Sequence, residues 1–187
     1  MLETWAAIIL AGGRGSRLDG VDKAGIEVSG RTLLEWTLDA CIDAREVVVV
    51  GDQVPTERPV TFTREHPRFG GPVAALLTGV DALLSRPGYL GVLPVDMPHL
   101  TMGTMRRLTD AAEGADGAVL IDPAGRHQWA MVVKRDRLLE SRPSYEEQHA
   151  MAMSHLLAGL TLVEVPAVGA EHRDIDTWGD LRDLDEA

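Results

Sequence analysis

Apolar runs of strand length alternate with helix-period patterns along the first half of the chain, and this alternation limits the fold more than any other feature. "WAAIIL" (5–10), "PVTFTR" (59–64) and "YLGVLPV" (89–95) read as strands, and "EVVVVG" (46–51) is a β-branched run of the kind buried on both faces of a sheet. Between them, "TLLEWTLDACI" (32–42) places Leu33, Leu34, Leu38, Cys41 and Ile42 near helical spacing. Thr32 and Glu35 there are spaced as a capping box. "GPVAALLTGVDALL" (71–84) is a helix with Pro72 in its first turn, and "MGTMRRLTDAA" (102–112) a helix that Thr101 can cap. Strand–helix–strand repetition implies a mostly parallel sheet with helices on both faces.

The second half departs from this rhythm. "DGAVLIDPAGRHQWAMVVKR" (116–135) sets two apolar segments on either side of Asp122-Pro123 and Gly125, which predicts a hairpin. "DRLLES" (136–141) and "SYEEQHAMAMSHLLAGL" (144–160) are predicted helical, "TLVEVP" (161–166) is a last strand, and "WGDLRDLDEA" (178–187) a terminal helix. The expected architecture is a Rossmann-like three-layer α/β/α domain over residues 1–187, with an antiparallel hairpin inserted in its second half.

Composition narrows the function classes. A net charge of −11 opposes a broad nucleic-acid or anionic-membrane surface, while leaving room for an anion held by a few local cations. Six of the 29 acidic residues lie in the C-terminal "DIDTWGDLRDLDEA". The one cysteine, Cys41, sits in an apolar helical pattern and reads as a buried core thiol, which suits a reducing, cytoplasmic location. "MLETW" lacks a basic n-region, and no apolar run approaches the roughly 20 residues that span a bilayer. No paired cysteines and no H-x-x-x-H occur, so zinc is not expected.

In open α/β sheets ligands bind at the carboxyl ends of the strands, and three stretches fall there. "LAGGRGSRLDGVDKA" (10–24) follows the first strand. Its glycines let backbone N–H groups converge on an anion, and Arg14, Arg17 and Lys23 add positive charge, a combination suited to a polyphosphate. The same composition also suits a plain glycine turn with solvated arginines. Neither Gly-Lys-Ser/Thr nor a helix-opening G-x-G-x-x-G is present, so a P-loop and a dehydrogenase fingerprint both fit poorly. "LPVDMPHL" (93–100) places Asp96 just past a strand, where a carboxylate can hold Mg²⁺ beside phosphates or bond its own turn. In "RDIDTWGDL" (173–181), Asp174 and Asp176 would point the same way from an extended segment and could add a metal ligand. Asp176 or Thr177 could equally cap the terminal helix. Arg126, His127 and Gln128 on the hairpin could face a second substrate or form a solvated edge, and His99 reads as a packing residue.

"LAGGRGSRLDGVDKA", "GPVAALLTGV", "LPVDMPHL" and "DIDTWGDL", in this order and spacing, resemble the molybdenum cofactor guanylyltransferases, within the nucleotidyltransferases that carry a glycine-rich N-terminal signature. The resemblance runs from Ala6 to Leu184. It implies transfer of GMP from GTP to the phosphate of a molybdopterin-type cofactor, with Mg²⁺ and release of pyrophosphate. By that resemblance Leu10, Ala11, Gly12 and Gly13 contact the nucleotide through backbone groups, Arg14 adjoins it, and Lys23 reaches the phosphates. Arg17 assists the leaving triphosphate portion, Asp96 binds Mg²⁺, and Asp174 or Asp176 is the second ligand. The family often has Asn-x-Asn-Thr-Pro where this chain has Asp174-Ile175-Asp176-Thr177-Trp178. A sister enzyme using CTP or another phosphate acceptor, or a non-catalytic nucleotide-binding module, are the alternatives. GTP and the cofactor are the expected partners, with cofactor-biosynthesis proteins or molybdoenzyme chaperones as protein partners. No nucleic-acid or membrane partner is expected, and the chain is expected to be a monomer or weak oligomer.

Overall fold

Seven strands form one sheet in the order β5-β4-β1-β6-β8-β7-β9 in a computed structural model that describes residues 4–12 and 22–185. β1 (Trp5–Leu10) lies between β4 (Glu46–Val50) and β6 (Tyr89–Pro94), parallel to both, and β5 (Thr61–Thr63) extends the parallel half. β7 (Gly117–Ile121) and β8 (His127–Lys134) form the predicted hairpin. β8 pairs antiparallel with β6, and β9 (Leu162–Pro166) closes the far edge parallel to β7. A two-stranded ribbon, β2 (Glu27–Val28) with β3 (Arg31–Thr32), stands apart from the sheet.

The pleat of β1 divides the core. Trp5, Ala7 and Ile9 point to one face, where they pack with Leu33, Leu34 and Leu38 of α1 (Leu33–Ala40) and Met105 and Leu108 of α3 (Met102–Ala112). Ile8 points to the other, against Val73, Leu76, Leu77 and Val80 of α2 (Pro72–Asp81). Both layers are fully buried, which is why the strands read as continuous apolar runs rather than as alternating ones. Both predicted caps form: Thr32 and Glu35 exchange bonds at the start of α1, as do Thr101 and Thr104 at α3. Cys41 is buried, and loss of hydration pushes its thiol up to about 12, so it stays protonated in the core.

One expected helix is largely absent. Residues 145–150 form turns, and only α5 (Met153–Leu156) is helical in the stretch 144–160, after α4 (Arg135–Glu140). Ala150 adopts a left-handed φ of 57° and donates its N–H to Gly70 O at 2.8 Å. Docking this backbone on the loop before α2 competes with helix continuation and wins. Met153, Leu156 and Leu157 are still delivered to the core, so the apolar spacing was satisfied by tertiary contact. The last described element is α6 (Trp178–Asp185), and no helix among the described residues is long and apolar enough to cross a membrane.

Candidate active site

The carboxyl ends of β1, β4 and β6 meet at one edge. Ala11 and Gly12 both donate their N–H groups to Val50 O at 2.9 Å, and Val95 N donates to Leu10 O at 3.0 Å. A side chain at Gly51 would put its Cβ 2.9 Å from Ala11 Cβ, so only glycine lets β4 leave the sheet this close to β1. Leu10, Ala11 and Gly12, the described part of the expected backbone cradle, are pinned to neighbouring strands. With the Ala11 and Gly12 amides taken, a ligand contact from these residues must use other groups. Gly13, Arg14 and Arg17 lie outside the described residues.

Lys23 is set by one turn of 3₁₀ helix, Lys23–Gly25. Asp22 caps it by accepting from Ala24 N at 3.1 Å, and buried Ala24 anchors it to the core. From there Nζ donates to Asp96 Oδ2 at 2.9 Å, to the Ile175 carbonyl at 2.9 Å and to Asp176 Oδ1 at 3.0 Å. An ammonium has three N–H groups, and all three are used. Burial lowers the Lys23 pKa, but bonding to Asp96 and then Asp176 outweighs it, and the net value rises above the ordinary lysine range. Lys23 is therefore a fixed cation.

Two different devices bring the acids to it. Asp96 follows β6 between buried Val95 and buried Met97, with Met97 N bonded back to Pro94 O at 3.4 Å. Asp176 comes from the irregular stretch 167–177. Its start is tied to α3 by Glu171, a buried carboxylate that accepts from Thr104 Oγ1 (2.5 Å), Arg107 Nη2 (2.6 Å) and Val168 N (2.8 Å). Its end is tied by Ile175 N donating to Asp96 O at 2.8 Å. Capping of α6 falls to Thr177 and Asp180. The Asp180 carboxylate accepts from Asp176 N at 3.1 Å and Thr177 N at 2.7 Å, while the Asp176 carboxylate accepts from Lys23. Sequence reading missed the Ile175 carbonyl and Glu171: a backbone oxygen carries no residue signal, and Thr104 lies 67 positions from its partner.

Asp174 is exposed, and its carboxyl is held above the ordinary aspartate range by burial of its hydration sites and then by the charges of Asp176 and Asp96, against the pull of Lys23. Among the described residues no group of three or more His, Cys, Asp or Glu side chains forms a ready-made metal cage. Magnesium does not require one, because it commonly takes one or two carboxylates and completes its shell with substrate oxygens and water. Three carboxylates gathered around one ammonium leave a local excess of negative charge, and Asp96 with Asp176 or Asp174 fits such an ion.

Beside this knot opens a cleft of about 840 Å³ between the β7–β8 turn and residues 170–175. Its walls include Arg126, His127 and Gln128, together with His99, His172 and Arg173, and its acidic side is formed by Asp174 and Asp180. The hairpin tip is rigid: Asp122 is buried and accepts from Ala124 N (2.8 Å), Arg126 N (2.9 Å) and Arg126 Nε (2.8 Å). His99, expected to be packing alone, faces this cleft.

The model of the MobA-like NTP transferase domain matches residues 7–163 of this chain. The chain belongs to that family. Among relatives, the probable molybdenum cofactor guanylyltransferase of Haloferax mediterranei is 35% identical over 123 residues, 61% of this chain and 58% of that protein. The molybdenum cofactor guanylyltransferase of Cupriavidus metallidurans is 28% identical over 202 residues, covering 96% of this chain and 90% of that one. Among solved structures, 2-C-methyl-D-erythritol 4-phosphate cytidylyltransferase from Thermus thermophilus superposes with a TM-score of 0.75 at 22% identity over 96% of both chains. This likeness concerns the fold alone. The MobA-like NTP transferase match contains Lys23 and Asp96 and stops short of Asp174 and Asp176, so half of the knot lies beyond the span that defines the family.

Proposed function

We propose that this chain, acting as one nucleotidyltransferase domain, transfers GMP from GTP to the phosphate of a molybdopterin-type cofactor and releases pyrophosphate. The observation that carries the reading is Lys23 Nζ bridging Asp96 and Asp176 at the carboxyl edge of the parallel sheet. The names of the two guanylyltransferase relatives supply the base and the acceptor.

A phosphate monoester oxygen of the acceptor attacks the α-phosphorus of GTP. One P–O bond forms, the bond from the α-phosphorus to the α–β bridging oxygen breaks, and pyrophosphate leaves with that electron pair. The attacking phosphate is largely dianionic at neutral pH, so the step needs no protein nucleophile and no general base. What the protein contributes is alignment and charge neutralisation. Lys23, already fixed as a cation, places its charge beside the phosphates, and a direct bond to them takes the place of one of its three present partners. Arg17, by the family resemblance, meets the leaving portion, with Arg14 and the backbone of Leu10 to Gly13 lining the nucleotide. Asp96 with Asp176 or Asp174 would hold a divalent ion, taken here as Mg²⁺, which would supply further neutralisation at the phosphates. The buried, protonated Cys41 suits a cytoplasmic place of work.

The fold is shared with a cytidylyltransferase, so base choice is the point to test. Incubation with Mg²⁺, molybdopterin cofactor and GTP, CTP or ATP in turn, with pyrophosphate as readout, should give product with GTP. Preference for CTP would transfer the assignment to a sister enzyme. No pyrophosphate with any of the three would overturn it.

A further inference from the structure

The knot and the cleft treat charge differently. Around Lys23 every cationic hydrogen is bonded. In the cleft, Arg126 is neutralised by Asp122, whereas the Arg173 guanidinium has neither an ion pair nor a side-chain hydrogen bond among the described residues. It lines the cleft within a chain of net charge −11, where acidic partners are plentiful. Two of the cleft's own acids are engaged elsewhere. Asp122 is committed to Arg126 and to backbone amides, and Asp180 Oδ2 to the amides of Asp176 and Thr177. Asp174 belongs to the acid group facing Lys23. Three imidazoles, His99, His127 and His172, share the cleft with Arg173, and His172 Nδ1 is buried without a partner among the described residues. Burial first, and then the nearby Arg173 charge, lower the His99 pKa and keep that ring a neutral hydrogen-bonding group beside the guanidinium.

We infer that Arg173, with His99 beside it, is the anchor for the phosphate monoester of the acceptor, in a cleft that receives the acceptor's ring system between the β7–β8 turn and residues 170–175. A planar guanidinium grips phosphate oxygens in pairs and therefore orients the group as well as attracting it. The cleft volume of about 840 Å³ is ample for a fused heterocycle with a phosphorylated side chain. Only two residues along the chain, Ile175 gives its carbonyl to Lys23. An acceptor phosphate on Arg173 therefore stands next to the place where the nucleotide phosphates are held. This rests on the guanylyl-transfer reading and gives the second substrate its own determinant.

The test uses two probes with the intact protein and Mg²⁺: 6-hydroxymethylpterin phosphorylated on its side chain, and the same pterin as the free alcohol. Wild type should bind the phosphorylated probe at least tenfold more tightly than the alcohol. Arg173→Ala should lose most of that preference, a drop of roughly ten- to a hundredfold for an unmade bidentate contact, while its affinity for the alcohol and for GTP stays within about twofold, as expected of a group that meets only the acceptor's phosphate. Arg173→Lys should recover part of the preference. Full preference in Arg173→Ala, or none in wild type, would overturn the anchor. Preference lost in Arg173→Ala, but no pyrophosphate from GTP and the molybdopterin cofactor, would sustain the anchor and sink guanylyl transfer.

Discussion

Asp96 and Asp176 bond to the same ammonium, but the molecule holds them in different ways. Asp96 is delivered by a strand whose neighbours are fully buried; moving it would require moving the sheet. Asp176 is delivered by an irregular segment held through polar contacts, chiefly those of Glu171 and the Ile175–Asp96 backbone bond. Apolar burial fixes a position cooperatively with the whole fold. A polar tether fixes it through a few bonds, each removable by one substitution. Asp96 should therefore behave as part of the frame, and Asp176 as an adjustable component.

The largest effects are expected where the knot itself is cut. Lys23→Ala and Asp96→Ala should each lower turnover by roughly 10²–10³, the scale of removing one placed electrostatic contact, while thermal unfolding shows a folded protein. Asp176→Asn should cost about tenfold, because Ile175 O still holds Lys23 and the amide preserves the shape. Steady-state pyrophosphate release measures all three. An Asp176→Asn loss as large as that of Asp96→Ala would end the distinction between frame and adjustable part and make the two acids equal ligands.

Glu171→Gln probes the tether without touching the knot. It removes the charge that Arg107 meets, worth about 1–2 kcal/mol once solvent screening at the half-exposed guanidinium is allowed for. A loosened segment should lower turnover by about tenfold through misplacement of Ile175 O and Asp176. Burial raises the Glu171 pKa, but Arg107, then Thr104 and Val168 N outweigh it and leave the net value below the ordinary glutamate range. Its stabilising contribution is thus complete above that ordinary range and is lost as pH falls through the depressed folded value. Urea midpoints of wild type and Glu171→Gln should accordingly differ most near neutrality and converge in acid. A constant gap down to low pH would show that the carboxylate charge is not what holds the segment.

The same contrast governs how much could be read from the sequence. Strands β1, β4 and β6, the helices between them, both caps and the hairpin were legible because each is encoded by residues close together in the chain. That Lys23 and Asp96 meet at one sheet edge was legible because the loop of each follows a readable strand. The segment 145–150 was not, because its apolar spacing is helical while its backbone bonds to Gly70. Nor was the pairing of Asp176 with Lys23. It depends on Asp180 accepting from the Asp176 amide and on Lys23 lying 153 positions away in the chain. Arg173 was invisible as a candidate because its distinction is the lack of a partner, which only three dimensions reveal.

The smallest effect is expected where an ion pair is geometrically good but not enclosed. Arg142 donates to both oxygens of Asp81 at 2.7 and 2.6 Å, shorter than any Lys23 contact, yet the Asp81 side chain is 57% exposed. Exposed pairs contribute about 0–1 kcal/mol, because water solvates the separated charges nearly as well and ordering two long side chains costs entropy. Asp81→Asn should therefore lower the unfolding free energy read from urea titration by no more than that and leave pyrophosphate release unchanged. Bond length predicts the reverse ranking, with Asp81 above Asp176, so the two substitutions together decide whether enclosure or distance sets the worth of a charge here. A loss of turnover in Asp81→Asn would mean that the surface between α2 and residues 142–148 communicates with the knot, and that the division into frame and tether leaves out a third support.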